Sequence, residues 1–285
     1  MNYKVKSLSV GGKTKVFKSG DTVCENDFHP NHAEMLLNQG HLEMIAPMQS
    51  KKIKRIGILT AIWKRHELFQ AFAAHWQFLF NEFTDYEFIF LAVGSEKNES
   101  KHLALSCGFN YIENHNYPLG TKWNEGIKWF EDKEVDFVLC LGSDDFIGKK
   151  LLSKMIDLMG VGYSLIGVID TYLYNQPTNE LVYWPGYNGS RKNKIIGLGR
   201  CLSVDLLKDL NFAPWNGRLN CRLDSSMDLK LRSIHHSTHG INIKALDLFC
   251  VDIKTDFNIT PFENTGNPID TNLLKTRIHG IDRYL

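Results

Sequence analysis

The chain has 285 residues, enough for one large domain with a small appendage, and 43% hydrophobic with 23% charged residues is the balance of an ordinary globular protein. A formal net charge of +1 argues against a protein held on nucleic acid by bulk electrostatics, although a local basic patch is compatible with it. No apolar run reaches the length of a membrane span, the start at Met1–Lys6 lacks an apolar signal core, and six scattered cysteines without a C-x-x-C pair point to a reducing, cytoplasmic compartment with neither disulfides nor a zinc cluster.

Residues 1–50 read as a small β-rich module. Short strands are expected over Val5–Val10, Lys15–Lys18 and Ser19–Val23, joined by glycine turns, with a helix over Asn31–Gly40. Lys51, Lys52, Lys54 and Arg55 form a basic linker, read as solvated strand flank rather than as a nucleic-acid contact. From residue 51 to 285 the pattern is that of an α/β domain with a mainly parallel sheet flanked by helices. Strands are predicted over 55–60, 86–93, 109–112, 136–141 and 164–169, and helices over 66–80, 97–107, 122–130, 149–159, 203–210 and 224–234. The stripe Leu68, Phe69, Phe72, Trp76, Leu79 and Phe80 has helical spacing and faces the core. Residues 172–188, rich in tyrosine, proline and glycine, suggest a hairpin or loop over a cleft, and the tail from Asn258 wraps the main domain. The tract His235, His236, His239 is read as a polar turn, since it lacks a glutamate or cysteine partner.

The most informative segment is 136–146. An apolar run, Phe137–Leu141, ends in Gly142, Ser143, Asp144 and Asp145. Such a run is a strand buried on both faces, and ligands of open α/β sheets bind at the carboxyl ends of strands. Adjacent carboxylates there call for a cation, and a hard divalent ion commonly bridges protein carboxylates and substrate phosphates. The bland alternative is a turn or cap ahead of the helix at Lys149.

Four segments together resemble the GT-A fold glycosyltransferases, in their large family-2-like group: Thr60–Arg65 after the first strand, Leu119–Gly126 before the acidic motif, Gly142–Asp145, and Leu223–Arg232 opening a later helix. The resemblance covers residues 53–250 and leaves out the first 50, which are similar to accessory modules of bacteriophage proteins. It implies a metal-dependent transferase, using Mn2+ or Mg2+ and a nucleotide sugar of the UDP type. Asp145 and Asp144 would hold the metal. Thr60, Ala61, Ile62, Arg65, Glu96, Gly120, Lys122, Asn124, Ser143 and Asp144 would bind the donor, with Glu96 standing where the family carries a base-binding aspartate. Asp224, or next Asp228, would act as catalytic base; as a plain structural feature Asp224 is a helix N-cap.

Lys122, Arg191, Lys192 and Arg200 are candidate diphosphate ligands, although a solvated surface position is the favoured reading of any one of them. Trp184 and Trp215 could stack on a sugar or base. The acceptor reads either as a hydroxymethylated base in phage DNA, exposed to the 172–187 loop and held through Arg191, Lys192 and Lys194, or as a glycan or small molecule. A nucleotidyltransferase is disfavoured because the 60–65 turn has no glycine, and a non-catalytic sugar- or nucleic-acid-binding virion module is the rival outside enzymes.

Overall fold

The computed structural model describes residues 2–6, 9–12, 16–19, 21–24, 28, 32–44, 53–258, 262 and 268–283. The chain divides into two compact units, Met1–Ser50 and Lys51–Leu285. Ser7, Leu8, Lys15, Gly20 and Asn31 of the expected first module, Lys51 and Lys52 of the basic linker, and much of the tail beyond Asn258 lie outside the described residues.

In the first unit β1 (Asn2–Val5) pairs antiparallel with both β4 (Thr22–Cys24) and β5 (Leu42–Met44), while β2 (Ser9–Gly11) and β3 (Val16–Lys18) form a second antiparallel pair. β2 and β3 each expose, bury and expose in turn, so the alternation puts Val10 and Phe17 inside. With α1 (His32–Asn38) these strands enclose a core that includes Val5, Val10, Phe17, Phe28 and Leu36.

The second unit is built on a seven-stranded sheet. Its strands are β6 (Arg55–Ala61), β7 (Glu87–Gly94), β8 (Asn110–Glu113), β9 (Phe137–Gly142), β11 (Leu165–Val168), β14 (Arg200–Ser203) and β15 (Thr238–Ile241), in the order β15-β11-β14-β9-β6-β7-β8. Only β14 runs against its neighbours. The central strands β6 and β9 are buried over nearly their full length, which is why they read as continuous apolar runs rather than alternating ones. Helices α2 (His66–Glu82), α3 (Asn98–Ser106), α4 (Leu119–Lys128) and α5 (Lys149–Val161) cross over between the strands, followed by α6 (Val204–Asp209) and α7 (Leu223–Leu231). The expected stripe of α2 is core at Leu68, Phe69, Phe72, Trp76 and Leu79, whereas Phe80 is exposed.

A second, five-stranded sheet has the order β10 (Asp145–Ile147), β16 (Cys250–Lys254), β12 (Thr171–Asn175), β13 (Glu180–Trp184), β17 (Pro268–Ile269). The hairpin expected within 172–188 is β12–β13. β10, β14, β15 and β16 carry weak signals: each is five residues or shorter, and β10 begins on an aspartate. His239 lies in β15, and among the described residues the histidine tract enters no group able to hold a metal. In the tail, α8 (Asn272–Arg277) seats Leu274 in the main core.

Sheet and helix layers meet closely at Gly57 on β6, where an added Cβ would lie 2.5 Å from the ring of Phe130. Phe130 is 1% exposed and cannot swing into solvent. Gly57→Ala should therefore cost about 1–3 kcal/mol through overpacking, and Gly57→Ala with Phe130→Leu should recover part of it. Chemical denaturation of the two variants measures this.

Candidate active site

At the carboxyl ends of β6 and β9 the chain makes two turns that depend on each other. After β6, the Ile62 N–H donates to the Val93 carbonyl at 2.9 Å, and the buried Lys122 ammonium donates to the Ile62 carbonyl at 2.9 Å and to Asn116 Oδ1 at 3.2 Å. Glu96 accepts from the Lys64 N–H (3.1 Å) and Ser100 Oγ (2.9 Å), and pairs with His66 Nε2 at 3.0 Å. Burial works against the Glu96 carboxylate, but these donors outweigh it and hold its pKa below the usual value. Lys64 has φ 60°, a left-handed conformation that reverses the chain. The result aims Arg65 across the turn at Asp144 and Ser143.

The acids form the centre of the site. Asp144 pairs with Arg65 and accepts from Asn258 Nδ2 at 2.6 Å. Asp145 accepts the Gly142 N–H at 2.7 Å. Asp145 on β10 is the register partner of Asp252 on β16, so a third carboxylate joins the pair across the antiparallel ladder. Asp252 in turn pairs with Lys254 at 2.5 Å. Burial opposes ionisation of Asp144, and the Arg65 guanidinium overcomes that, leaving its pKa below the carboxylate norm. Asp145 is pushed well above the norm by burial and by the charges of Asp144 and Asp252. Burial raises Asp252 as well, despite Lys254. Neither Asp144 nor Asp145 caps α5: its N-cap is Gly148, with no side-chain cap bond.

Asp144, Asp145, Asp252 and Lys254 line one cavity of about 690 Å³ together with a second charged group around Asp224. Asp224 is not a helix N-cap, a position taken by Arg222 with φ 57°. Its carboxylate accepts from the Tyr187 hydroxyl at 2.5 Å and lies 3.4 Å from Arg200 and 4.0 Å from Arg191. Arg200 is 1% exposed, held by the Ile195 and Ile196 carbonyls, so it is no surface residue. The Arg191 guanidinium lies 3.6 Å over the Tyr187 ring. Trp184, Trp215, Trp123 and the exposed Cys221 complete much of the wall.

The other expected site residues stand behind this wall. Lys122 is buried rather than solvated, and burial lowers its pKa to about 8. Asn124 grips the Trp215 backbone from both sides, donating to its carbonyl (2.9 Å) and accepting its N–H (3.1 Å). Gly120 packs where a Cβ would strike the Asn216 carbonyl, and its N–H donates to Leu219 at 2.8 Å. These two residues of α4 fix the 215–219 loop. Thr60, one residue before the end of β6, is fully buried, and its hydroxyl has no hydrogen-bond partner among the described residues. Asp228 is half-buried and does not line the cavity. Lys192 and Lys194 are exposed on the following turn. The residues missed by sequence reasoning include Asp252, Lys254 and Asn258, while Tyr187 lies in the expected 172–187 loop but its bond to Asp224 was not foreseen; the alternation of Asp252 and Lys254 along β16 is the one signal that pairs two of them on one strand face.

Because the fold favours neutral Asp145, its contribution to stability is present below the ordinary carboxylate pKa of 3.8 and is lost as pH rises through the higher folded value. In the absence of divalent cations, Asp145→Asn should melt above the parent at pH 8, with the gap closing toward pH 4. Thermal melts across that range check it, and a variant that melts lower at pH 8 contradicts the charge assignment.

No protein-family model matches the sequence, and no curated protein matches it significantly. Solved structures do match in shape. The chain is similar to Staphylococcus aureus TarS (residues 1–349) in complex with UDP, at 13% identity and a TM-score of 0.53, over 70% of this chain and 61% of that one. It is also similar to Drosophila β1,4-galactosyltransferase 7, a mutant in complex with manganese, UDP-Gal and xylobiose (11% identity, TM-score 0.43, 75% and 83% covered). A third match is 4-diphosphocytidyl-2C-methyl-D-erythritol synthase of Anaerococcus prevotii (12%, 0.45, 67% and 90%). At such identities the likeness is one of fold, and the second unit has the mixed α/β, mostly parallel-sheet GT-A fold.

Proposed function

We propose that this chain is a glycosyltransferase that moves a sugar from a nucleoside diphosphate, of the UDP type, to an acceptor hydroxyl. The observation that carries this reading is the single cavity lined both by the carboxylates at β9, β10 and β16 and by Asp224 at the start of α7. In the family that the motifs resemble, those two places serve the donor diphosphate and the acceptor hydroxyl.

In this reading the donor lies in the cavity beside the 60–65 turn, with Asp144 next to its phosphates, while Thr60, Ile62 and Ser143 are fully buried and, like Ala61 and Arg65, shape the wall without lining it. Glu96, Gly120, Lys122 and Asn124 shape this region through the turns they hold, without reaching the cavity. The donor set suits a divalent cation, Mn2+ or Mg2+: Asp145 has no ion-pair partner among the described residues, and the buried Asp252 Oδ1 has no hydrogen-bond partner. Asp145 and Asp252 would hold it, with Asp144 already committed to Arg65. Held there, such an ion would supply Lewis-acid stabilisation of charge on the diphosphate.

The remaining work falls to Asp224. The acceptor oxygen bonds to the sugar's anomeric carbon as the bond from that carbon to the diphosphate oxygen breaks, and the bonding pair leaves with the diphosphate. The acceptor's hydroxyl proton passes to the Asp224 carboxylate. Tyr187 and Arg200 orient that carboxylate. Asp228, off the cavity, is set aside. Residues 1–50 are, in this reading, an accessory module.

For the acceptor, a hydroxymethylated base in DNA suits the aromatic pair Trp184 and Tyr187, 5.3 Å apart, beside Arg191 and the exposed Lys192 and Lys194. Transfer to hydroxymethylated DNA but not to plain DNA, weakening as salt rises, is expected. Transfer to saccharides alone would assign a glycan acceptor instead.

Two substitutions test the roles. Asp145→Asn should abolish the Mn2+-dependent part of UDP binding in calorimetry while the protein stays folded. Asp224→Asn should cut transfer by roughly 10²-fold or more with donor binding little changed; full activity in that variant would remove Asp224 from the reaction.

A further inference from the structure

The acid cluster contains a cation of its own. Lys254 ends β16, two residues after Asp252 and on the same face of the strand, with a side chain 9% exposed that lines the cavity. Its one hydrogen bond among the described residues goes to Asp252 Oδ2 at 2.5 Å, whereas an ammonium carries three N–H donors.

A buried ion pair of this kind is a weak source of stability, because the desolvation of both ions offsets their attraction. What it does provide is a fixed positive charge at the wall of a polar cavity. Arg65 is the other cation of the cluster, and it is aimed at Asp144 and Ser143 without lining the cavity, which Lys254 does. Lys254 is the one whose remaining donors are left for a ligand. A diphosphate is an anion with several acceptor oxygens, and both charge and hydrogen-bonding capacity match.

Resting on the proposed nucleotide-sugar reading, we infer that Lys254 is a built-in counter-ion of the donor diphosphate, so that donor binding has a component that needs no divalent cation. Lys254 would share the phosphate charge with a divalent cation, which Asp145 and Asp252 would hold. Lys254 also gives the leaving diphosphate a charge partner that is in place before the donor arrives, with no reorganisation at the moment of transfer.

The test is UDP binding by calorimetry to the full chain, with saturating Mn2+ and with EDTA. The parent should bind UDP in EDTA, more weakly than with Mn2+. Lys254→Met should lose the EDTA binding by at least about tenfold, and Lys254→Arg should keep most of it, because a lysine binds phosphate as a point charge that the guanidinium also supplies. Lys254→Met strands the Asp252 carboxylate, so Lys254→Met/Asp252→Asn, which removes both charges, serves where the single variant does not fold; Asp252→Asn alone should keep the EDTA binding. Equal affinity of the parent and Lys254→Met in EDTA overturns the inference, as does a parent that binds only with Mn2+. Absence of nucleotide binding by the parent under both conditions overturns the donor reading itself, which separates the two failures.

Discussion

Three half-buried carboxylates within reach of one another cannot all be ionised without compensation, and the site is organised around that constraint. Asp144, Asp145 and Asp252 come from a turn and two strands, and each meets the requirement differently. Asp144 takes the Arg65 guanidinium, Asp252 takes Lys254, and Asp145 keeps a raised pKa and the Gly142 N–H. Remove Arg65 and the 60–65 turn loses its reason to point inward. The hydrogen bonds that Glu96 accepts from that turn serve the same end, since they set the direction in which Arg65 leaves it. The electrostatics thus dictate the loop conformations, and the loops in turn shape the cavity.

A second organising device is the support behind the wall. Asn124 and Gly120 touch no part of the cavity, yet they fix the loop that carries Trp215. Lys122 holds the backbone of Ile62 from beneath. An α4 sequence that resembles a ligand-binding motif therefore acts here through backbone it positions. Such residues respond to substitution as site residues do, because small displacements of positioned groups weaken a site built on exact contacts. Their role is nevertheless indirect.

Much of the main sheet was legible. The runs at Arg55–Ala61 and Phe137–Gly142 are apolar because both their faces are covered, and Leu68 to Leu79 repeats with helical period because one face of α2 is. The acid pair was visible because charged residues directly after a buried strand have few structural explanations. Apart from its β12–β13 hairpin, the second sheet was not legible. β10 holds three residues, and β16 mixes an aspartate and a lysine into an apolar strand, so neither has a periodic signature of its own. Asp252 and Lys254 acquire meaning only through the cross-strand partnership with Asp145, which is a fact of tertiary register. Lys122 and Arg200 misled for the opposite reason: a lone basic residue defaults to the surface, and each is instead buried with backbone carbonyls as partners.

The register of β10 with β16 also bears on how the molecule is made. Asp144 draws its partners from opposite directions along the chain, Arg65 at a separation of 79 positions and Asn258 at 114. During synthesis, the parallel core β6, β7, β8 and β9 has left the ribosome long before β16 has been translated. Through that interval Asp145 lacks its strand neighbour and Asp144 has Arg65 but not Asn258. Loop closure over such distances is entropically expensive and slow. The nascent chain thus acquires its scaffold early and its chemistry last, and a product truncated before residue 250 would keep most of the sheet while lacking two of the charges that define the cavity.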